Sequence, residues 1–75
     1  MEIKQLEYFA AAVEYGSLNR AAEKLYTTQP NVSRVLNSLE KELHVTLLER
    51  SNKGIKMTPQ GEELYGHAMS ILKHS

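Results

Sequence analysis

The stretch TTQPNVSRVLNSLEKEL, residues Thr27 to Leu43, carries two patterns at once. Val32, Leu36, Leu39 and Leu43 recur at spacings of four, three and four, which makes one apolar helical stripe. The opposite face opens with Asn31, Ser33, Arg34, Asn37 and Ser38, and no carboxylate appears before Glu40. A face that only met solvent would be rich in Glu and Lys, which favour helix. Ser and Asn disfavour it, because their side chains compete for backbone hydrogen bonds. Short hydrogen-bonding groups and one Arg on an outer face therefore point to a contact surface.

Upstream, Ile3, Leu6, Phe9, Ala10 and Val13 have helical spacing, so a first helix spans residues 3–15 and ends at Gly16. Ser17 caps a short second helix whose Leu18, Ala21, Ala22 and Leu25 face inward. The third helix opens near Thr28 with Pro30 in its first turn. Thr28 and Gln29 both stand as its cap, since a residue before proline avoids the helical region.

Downstream of Leu43 the period changes. The runs Thr46 to Arg50 and Ile55 to Thr58, around Asn52-Lys53-Gly54, predict a small hairpin. Thr58-Pro59 then starts a last helix with Glu62 and Glu63 in its first turn. Leu64, Ala68, Ile71 and Leu72 form one apolar row on it, widened by Tyr65 and Met69. The row is broader than a small domain can cover, which predicts a dimer through this helix. The chain reaches Ser75 without a helix stop signal, as in a segment of something longer.

A chain of 75 residues makes one domain, burying roughly 60–65% of its unfolded surface, with little room for a substrate cavity. Cysteine is absent, which removes disulfides, thiolate metal sites and a Cys nucleophile. His44, His67 and His74 lack metal-ligand spacing, no Gly-rich phosphate loop is present, and Ser17, Ser33 and Ser38 have no evident base. An enzyme is not expected, and neither is a cofactor. The longest apolar stretch, Tyr8 to Val13, is too short to span a bilayer, and the N-terminus lacks a signal peptide's layout. A soluble cytoplasmic protein is the expectation.

Nine basic and nine acidic residues give zero net charge, which argues against a broadly basic nucleic-acid binder. Their distribution argues for a local one. No acid lies between Glu23 and Glu40, or from Arg50 to Gly61, while Lys24, Arg34, Arg50, Lys53 and Lys56 occupy these windows. One face is therefore expected to be positive. The order helix, helix, turn, helix, hairpin, helix is that of a mainly α winged helix-turn-helix, a three-helix core with a small β-hairpin wing. The second helix of such a unit lies in the DNA major groove, where Asn, Gln, Ser and Arg match base edges and carboxylates are repelled by phosphates.

With these elements in place, residues 1–64 resemble the N-terminal DNA-binding region of LysR-type transcriptional regulators. The matches are Leu6, Phe9, Val13, Glu14, Gly16-Ser17, Ala21-Ala22, Leu25, Gln29-Pro30, Val32-Ser33, Leu39-Glu40, Leu43, Leu47, Arg50, Thr58 and Gly61, in register and without gaps. The resemblance implies a bacterial regulator whose winged helix-turn-helix, residues 1–58, joins an effector-binding domain absent from this chain through a long linker helix. Residues 59–75 are similar to the start of that linker, which pairs two subunits. The implied partner is double-stranded DNA carrying an inverted repeat, bound by a homodimer, or by a tetramer of a full-length protein.

Carried over by position, the groups implied to touch DNA are Gln29, Pro30, Ser33 and Arg34, with Lys53 where the wing usually has Arg. Thr28, Asn31, Asn37 and Arg50 complete the candidate set. Each has a plainer reading. Ser33 and Asn37 could be solvated helix positions, Arg34 a surface ion pair with Glu40 or Glu23, and Arg50 a partner for acids of a neighbouring helix. Val35 replaces a frequent Gln and Asn31 a frequent small residue, so the groove readout differs from common members. Leu48 replaces a frequent Phe, which alters packing. His44 replaces a usual Gly just after the recognition helix, where a left-handed backbone is expected. A winged helix that binds protein instead of nucleic acid is the alternative function.

Overall fold

The computed structural model describes residues 1–72. His74 and the end of the expected linker segment 59–75 lie outside them. Helix α1 (Ile3–Tyr15) starts from a capping box in which the Glu2 N–H donates to Gln5 Oε1 at 2.7 Å, and it ends at a left-handed Gly16. Helix α2 (Leu18–Lys24) is capped by Ser17, whose Oγ accepts the Arg20 N–H at 3.1 Å. Its buried Ala21 and Ala22 present little bulk, so α2 packs against both α1 and the next helix. Helix α3 (Gln29–Leu43) settles its cap on Thr28, whose Oγ1 accepts the Asn31 N–H at 3.3 Å. Pro30 falls in the first turn, where the missing N–H has no intrahelical partner to lose.

The apolar stripe of α3 is the floor of the core. Val32, Leu36 and Leu39 are buried with Phe9, Ala12, Ala22, Leu47 and Leu48, and Leu43 packs at the margin. His44 ends α3 at φ 60° and ψ 33°, the left-handed conformation expected of it. Its N–H and that of Val45 return to the carbonyls of Lys41 and Glu40, so the last turn closes on itself.

The wing is shorter than the sequence runs. Strand β1 (Leu48–Ser51) pairs antiparallel with β2 (Gly54–Met57), placing Leu48 opposite Met57 and Arg50 opposite Ile55. Thr46 and Leu47 are not in β1, because their backbone is engaged elsewhere. The Leu47 N–H donates to Glu40 Oε2 at 2.7 Å, and the Leu47 carbonyl accepts the Thr58 N–H at 3.0 Å. Thr58 likewise leaves β2 to become a cap. The left-handed backbone of the turn falls on Gly54 (φ 116°) and not on Asn52 or Lys53.

Helix α4 (Pro59–Leu72) begins at Thr58, whose Oγ1 accepts the Gly61 N–H at 3.0 Å and donates to the Thr46 carbonyl at 2.6 Å. Glu62 lies in its first turn, and Glu63 falls beyond it. Gly61 allows α4 to press on the segment before the wing: a Cβ there would stand 2.1 Å from the Leu47 carbonyl oxygen. The helix packs along α1, with the Tyr65 ring edge-on to Phe9 at 6.3 Å and 73°. This packing divides the apolar row. Ala68, expected at a subunit interface, is fully buried within the chain, and Leu64 packs on the core. Leu72 is half-buried and Ile71 is 45% exposed, so the outward part of the row is its C-terminal end.

Candidate nucleic-acid interface

The turn between α2 and α3 is built by a residue that no sequence pattern singles out. Tyr26 adopts φ 58°, a left-handed backbone, and is 96% exposed. The Thr27 N–H returns to the Ala22 carbonyl at 2.9 Å, closing α2 as His44 closes α3. The chain then reverses and enters α3 with its first turn at the surface. Pro30, Arg34, Asn37 and Ser38 are exposed, and Gln29, Asn31 and Ser33 are half-buried beside them.

Arg34 turns to neither Glu23 nor Glu40. Its Nη2 donates to Asn31 Oδ1 one turn earlier. The other end of that amide points inward, with Nδ2 donating to Thr27 Oγ1 at 2.9 Å and lying 3.5 Å from the hydroxyl of Tyr8. Asn31 is therefore engaged within the chain at both ends, bracing Arg34 against α1 and the turn. The Lys4 ammonium, 5.6 Å from the centre of the Tyr8 ring, adds positive charge beside the same cluster.

Arg50 does not pair with helix acids either. From β1 its Nη1 donates to Ser33 Oγ at 3.1 Å and its Nη2 to Asn37 Oδ1 at 3.3 Å. The wing is thus tied to the outer face of α3 by side chains and to its inner edge by Glu40. The Glu40 carboxylate accepts the N–H groups of Leu47 at 2.7 Å and Leu48 at 3.1 Å. Lys53 stands exposed at the hairpin tip, its N–H held by Ser51 Oγ at 3.2 Å. Between wing, α3 and the start of α2 lies an open cleft of about 370 Å³, lined by Ser17, Gln29, Arg50 and Asn52 among others.

The structure thus brings Arg50 of the wing onto Ser33 and Asn37 and Arg34 onto Asn31, with Thr28, Gln29 and Pro30 at the start of the same helix and Lys53 at the hairpin tip. Arg34 lines a separate cleft with Glu2, Lys4 and Ser38. The candidate side chains offer hydrogen-bond donors, acceptors and positive charge, and no carboxylate lies among them. Among the described residues, the two groups with displaced pKa values lie elsewhere. Glu42 is held below the usual carboxylate range by a hydrogen bond from the N-terminal ammonium. The Tyr65 hydroxyl is pushed up by burial and by the Glu14 carboxylate, to which it donates at 3.4 Å.

Residues 3–62 match the family described as bacterial regulatory helix-turn-helix protein, lysR family. The chain belongs to the LysR family. Over 74 residues this LysR-family chain is 43% identical to the HTH-type transcriptional regulator BenM of Acinetobacter baylyi (strain ATCC 33305 / BD413 / ADP1), covering 99% of this chain and 24% of BenM. The crystal structure of the CbnR_DBD–DNA complex matches with a TM-score of 0.93 and 42% identity, over 97% of this chain and 84% of that one. The BenM_DBD/benA site 1 DNA complex matches with a TM-score of 0.94 and 43% identity, over 99% of this chain and 83% of that one. The chain spans about a quarter of the length of the curated regulators it matches. The family is one of regulators and not of enzymes. Among the described residues no helix is long and apolar enough to cross a membrane.

Four contributors to this face of the LysR-family chain are absent from the candidate set drawn from the sequence. Tyr26, Thr27 and Tyr8 act through positions set by the turn and by α1, and Glu40 acts on backbone of the next element. Of these, Glu40 alone had a clue, as the first acid after a long acid-free run.

Proposed function

We propose that this chain is the N-terminal DNA-binding domain of a bacterial LysR-type transcriptional regulator, and that it recognises double-stranded DNA by sequence. Helix α3 enters the major groove, and the wing tip lies on the adjacent backbone or minor groove. The observation that carries this is the outer face of α3: hydrogen-bonding groups and an exposed Arg34, no acid before Glu40, and a lysine-tipped wing alongside. The similar CbnR and BenM domains were crystallised in complex with DNA, which supports the same partner here. The protein-binding alternative has no comparable support.

In this reading residues 1–58 form the reading unit and residues 59–75 begin a linker that joins two subunits. An effector-binding domain follows in the full-length protein, which acts in the cytoplasm. Gln29, Pro30, Ser33, Arg34 and Asn37 face base edges or groove walls, Thr28 and Lys53 face phosphates, and Arg50 stands behind Ser33 and Asn37 at the edge of the groove. Two subunits place their α3 helices about 34 Å apart, or a multiple of that, on an inverted repeat. Selection from random duplexes tests the reading. Enrichment of one half-site, often as inverted pairs, is expected, and no enrichment over scrambled duplex at low salt would contradict it.

A further inference from the structure

Arg50 faces two side chains of α3 that lie one turn apart, donating from Nη1 to Ser33 Oγ at 3.1 Å and from Nη2 to Asn37 Oδ1 at 3.3 Å. A guanidinium has five N–H donors and no acceptor. The Asn37 amide must therefore turn its oxygen toward Arg50, which directs its NH₂ away from the wing. Ser33 accepts from Arg50, and its own O–H is left to donate. Arg34, between them in sequence, also brings donors alone.

The guanidinium is itself well placed to impose this. Arg50 sits opposite Ile55 in the paired strands, and β1 begins at Leu48, whose N–H is fixed to Glu40 of α3. The wing and the recognition helix are thus joined at two points, and Arg50 extends from the joined frame. An unrestrained Asn reads adenine with both ends of its amide, accepting from N6–H₂ and donating to N7. An Asn whose amide is turned with its oxygen toward Arg50 keeps one lone pair on that side and presents its NH₂ outward, which suits guanine O6 and N7 or thymine O4.

We propose that Arg50 is a positioning residue for specificity: it fixes the hydrogen-bond polarity of Ser33 and Asn37, so that this part of α3 selects acceptor-bearing base edges over the two-ended adenine contact. The inference rests on the DNA-reading function proposed above. It differs from a plain phosphate contact, in which Arg50 would add affinity to every sequence alike.

Site selection and titration on duplexes varied one base at a time test it, with the unaltered chain, Asn37→Ala, Arg50→Met, Arg50→Lys and the double variant Arg50→Met/Asn37→Ala. The position whose preference relaxes in Asn37→Ala is the one Asn37 reads. There, Arg50→Met is expected to shift preference toward adenine by roughly five- to tenfold, the scale of one base contact. The shift should vanish in the double variant, and Arg50→Lys should keep the salt dependence while losing part of the preference. Circular dichroism confirms that each variant is folded. A Met variant whose preference is unchanged, or blurs evenly at every position, overturns the proposal, as does an Asn37→Ala variant that relaxes no position. An unaltered chain without base preference contradicts the DNA-reading function itself.

Discussion

His44 and Tyr26 hold left-handed backbones, at φ 60° and 58°, where glycine is the usual occupant of a helix end. His is among the few non-Gly residues enriched there, whereas a bulky or β-branched side chain is strained. His44→Gly relieves that strain but loosens the unfolded chain, so it should be neutral or stabilise by up to about 1 kcal/mol. His44→Val should destabilise by about 1–2 kcal/mol, the cost of a left-handed β-branched residue. Thermal melts in which Val is tolerated as well as Gly would remove this account of the site. The His44 conformation was legible because the residue stands where the resembling family has Gly. Tyr26 was not, since its conformation follows from the sharp reversal between α2 and α3 and no local pattern marks it. The caps Ser17 and Thr58 were legible for the opposite reason, as each acts on an N–H only three residues ahead, whereas the sequence leaves Thr28 and Gln29 both open and the Asn31 N–H decides for Thr28.

At the scale of elements, the wing depends on Glu40 as much as on its own pairing. The carboxylate satisfies the N–H groups of Leu47 and Leu48, both buried residues, before β1 begins. Glu40→Ala leaves two donors unpaired and should cost about 1–3 kcal/mol, while Glu40→Gln keeps an acceptor and should cost less. Denaturant unfolding measures both, and equal loss from Gln and Ala would mean that charge, not acceptance, anchors the wing. This bond explains why the hairpin was foreseen but its strands were misplaced. Periodicity marks apolar runs, and it does not reveal that Thr46, Leu47 and Thr58 use their backbone to join three elements. Between α4 and α1, Tyr65 adds a pH dependence. Burial and Glu14 raise its pKa above the ordinary value of 10.0. An unfolded chain gives up this proton first, so the folded state holds more protons as pH rises, and stability falls. The contribution is fully present below about pH 10 and is lost as pH climbs through the raised value. Tyr65→Phe keeps the ring on Phe9 and should flatten that alkaline decline. An unchanged profile would show that the hydroxyl contributes nothing to it.

For the whole molecule, the apolar row of α4 serves two purposes. Leu64 and Ala68 complete the core, and Ile71 with Leu72 remains at the outer end, where the proposed second subunit would pack. Helical spacing alone assigns Ala68 to an interface because it shows which residues share a face, not which neighbour covers it. We expect weak self-association, reduced by Ile71→Glu without loss of fold. Sedimentation showing a monomer at millimolar concentration, unaffected by Ile71→Glu, would refute the pairing through α4. The outward, acid-free face of α3 was legible in composition, as a helix side that avoids acids against its own propensity. Its internal bracing was not, because the links from Arg50 to Ser33 and Asn37, and from Asn31 to Tyr8, span elements distant in sequence. On the proposed function, α3 reads base edges and the wing tip holds the backbone. Arg34 carries a fork that suits guanine O6 and N7, and Lys53 a point charge suited to phosphate or a narrow minor groove. The direct measurement titrates Arg34→Ala and Lys53→Ala on specific and scrambled duplexes across several salt concentrations. Arg34→Ala should cost roughly 1–3 kcal/mol on the preferred site and relax one base position, while Lys53→Ala should weaken all duplexes about equally and lower the salt slope by about one phosphate. Equal loss from Arg34→Ala on both duplexes would contradict the claim, since Arg34 would then only hold the backbone.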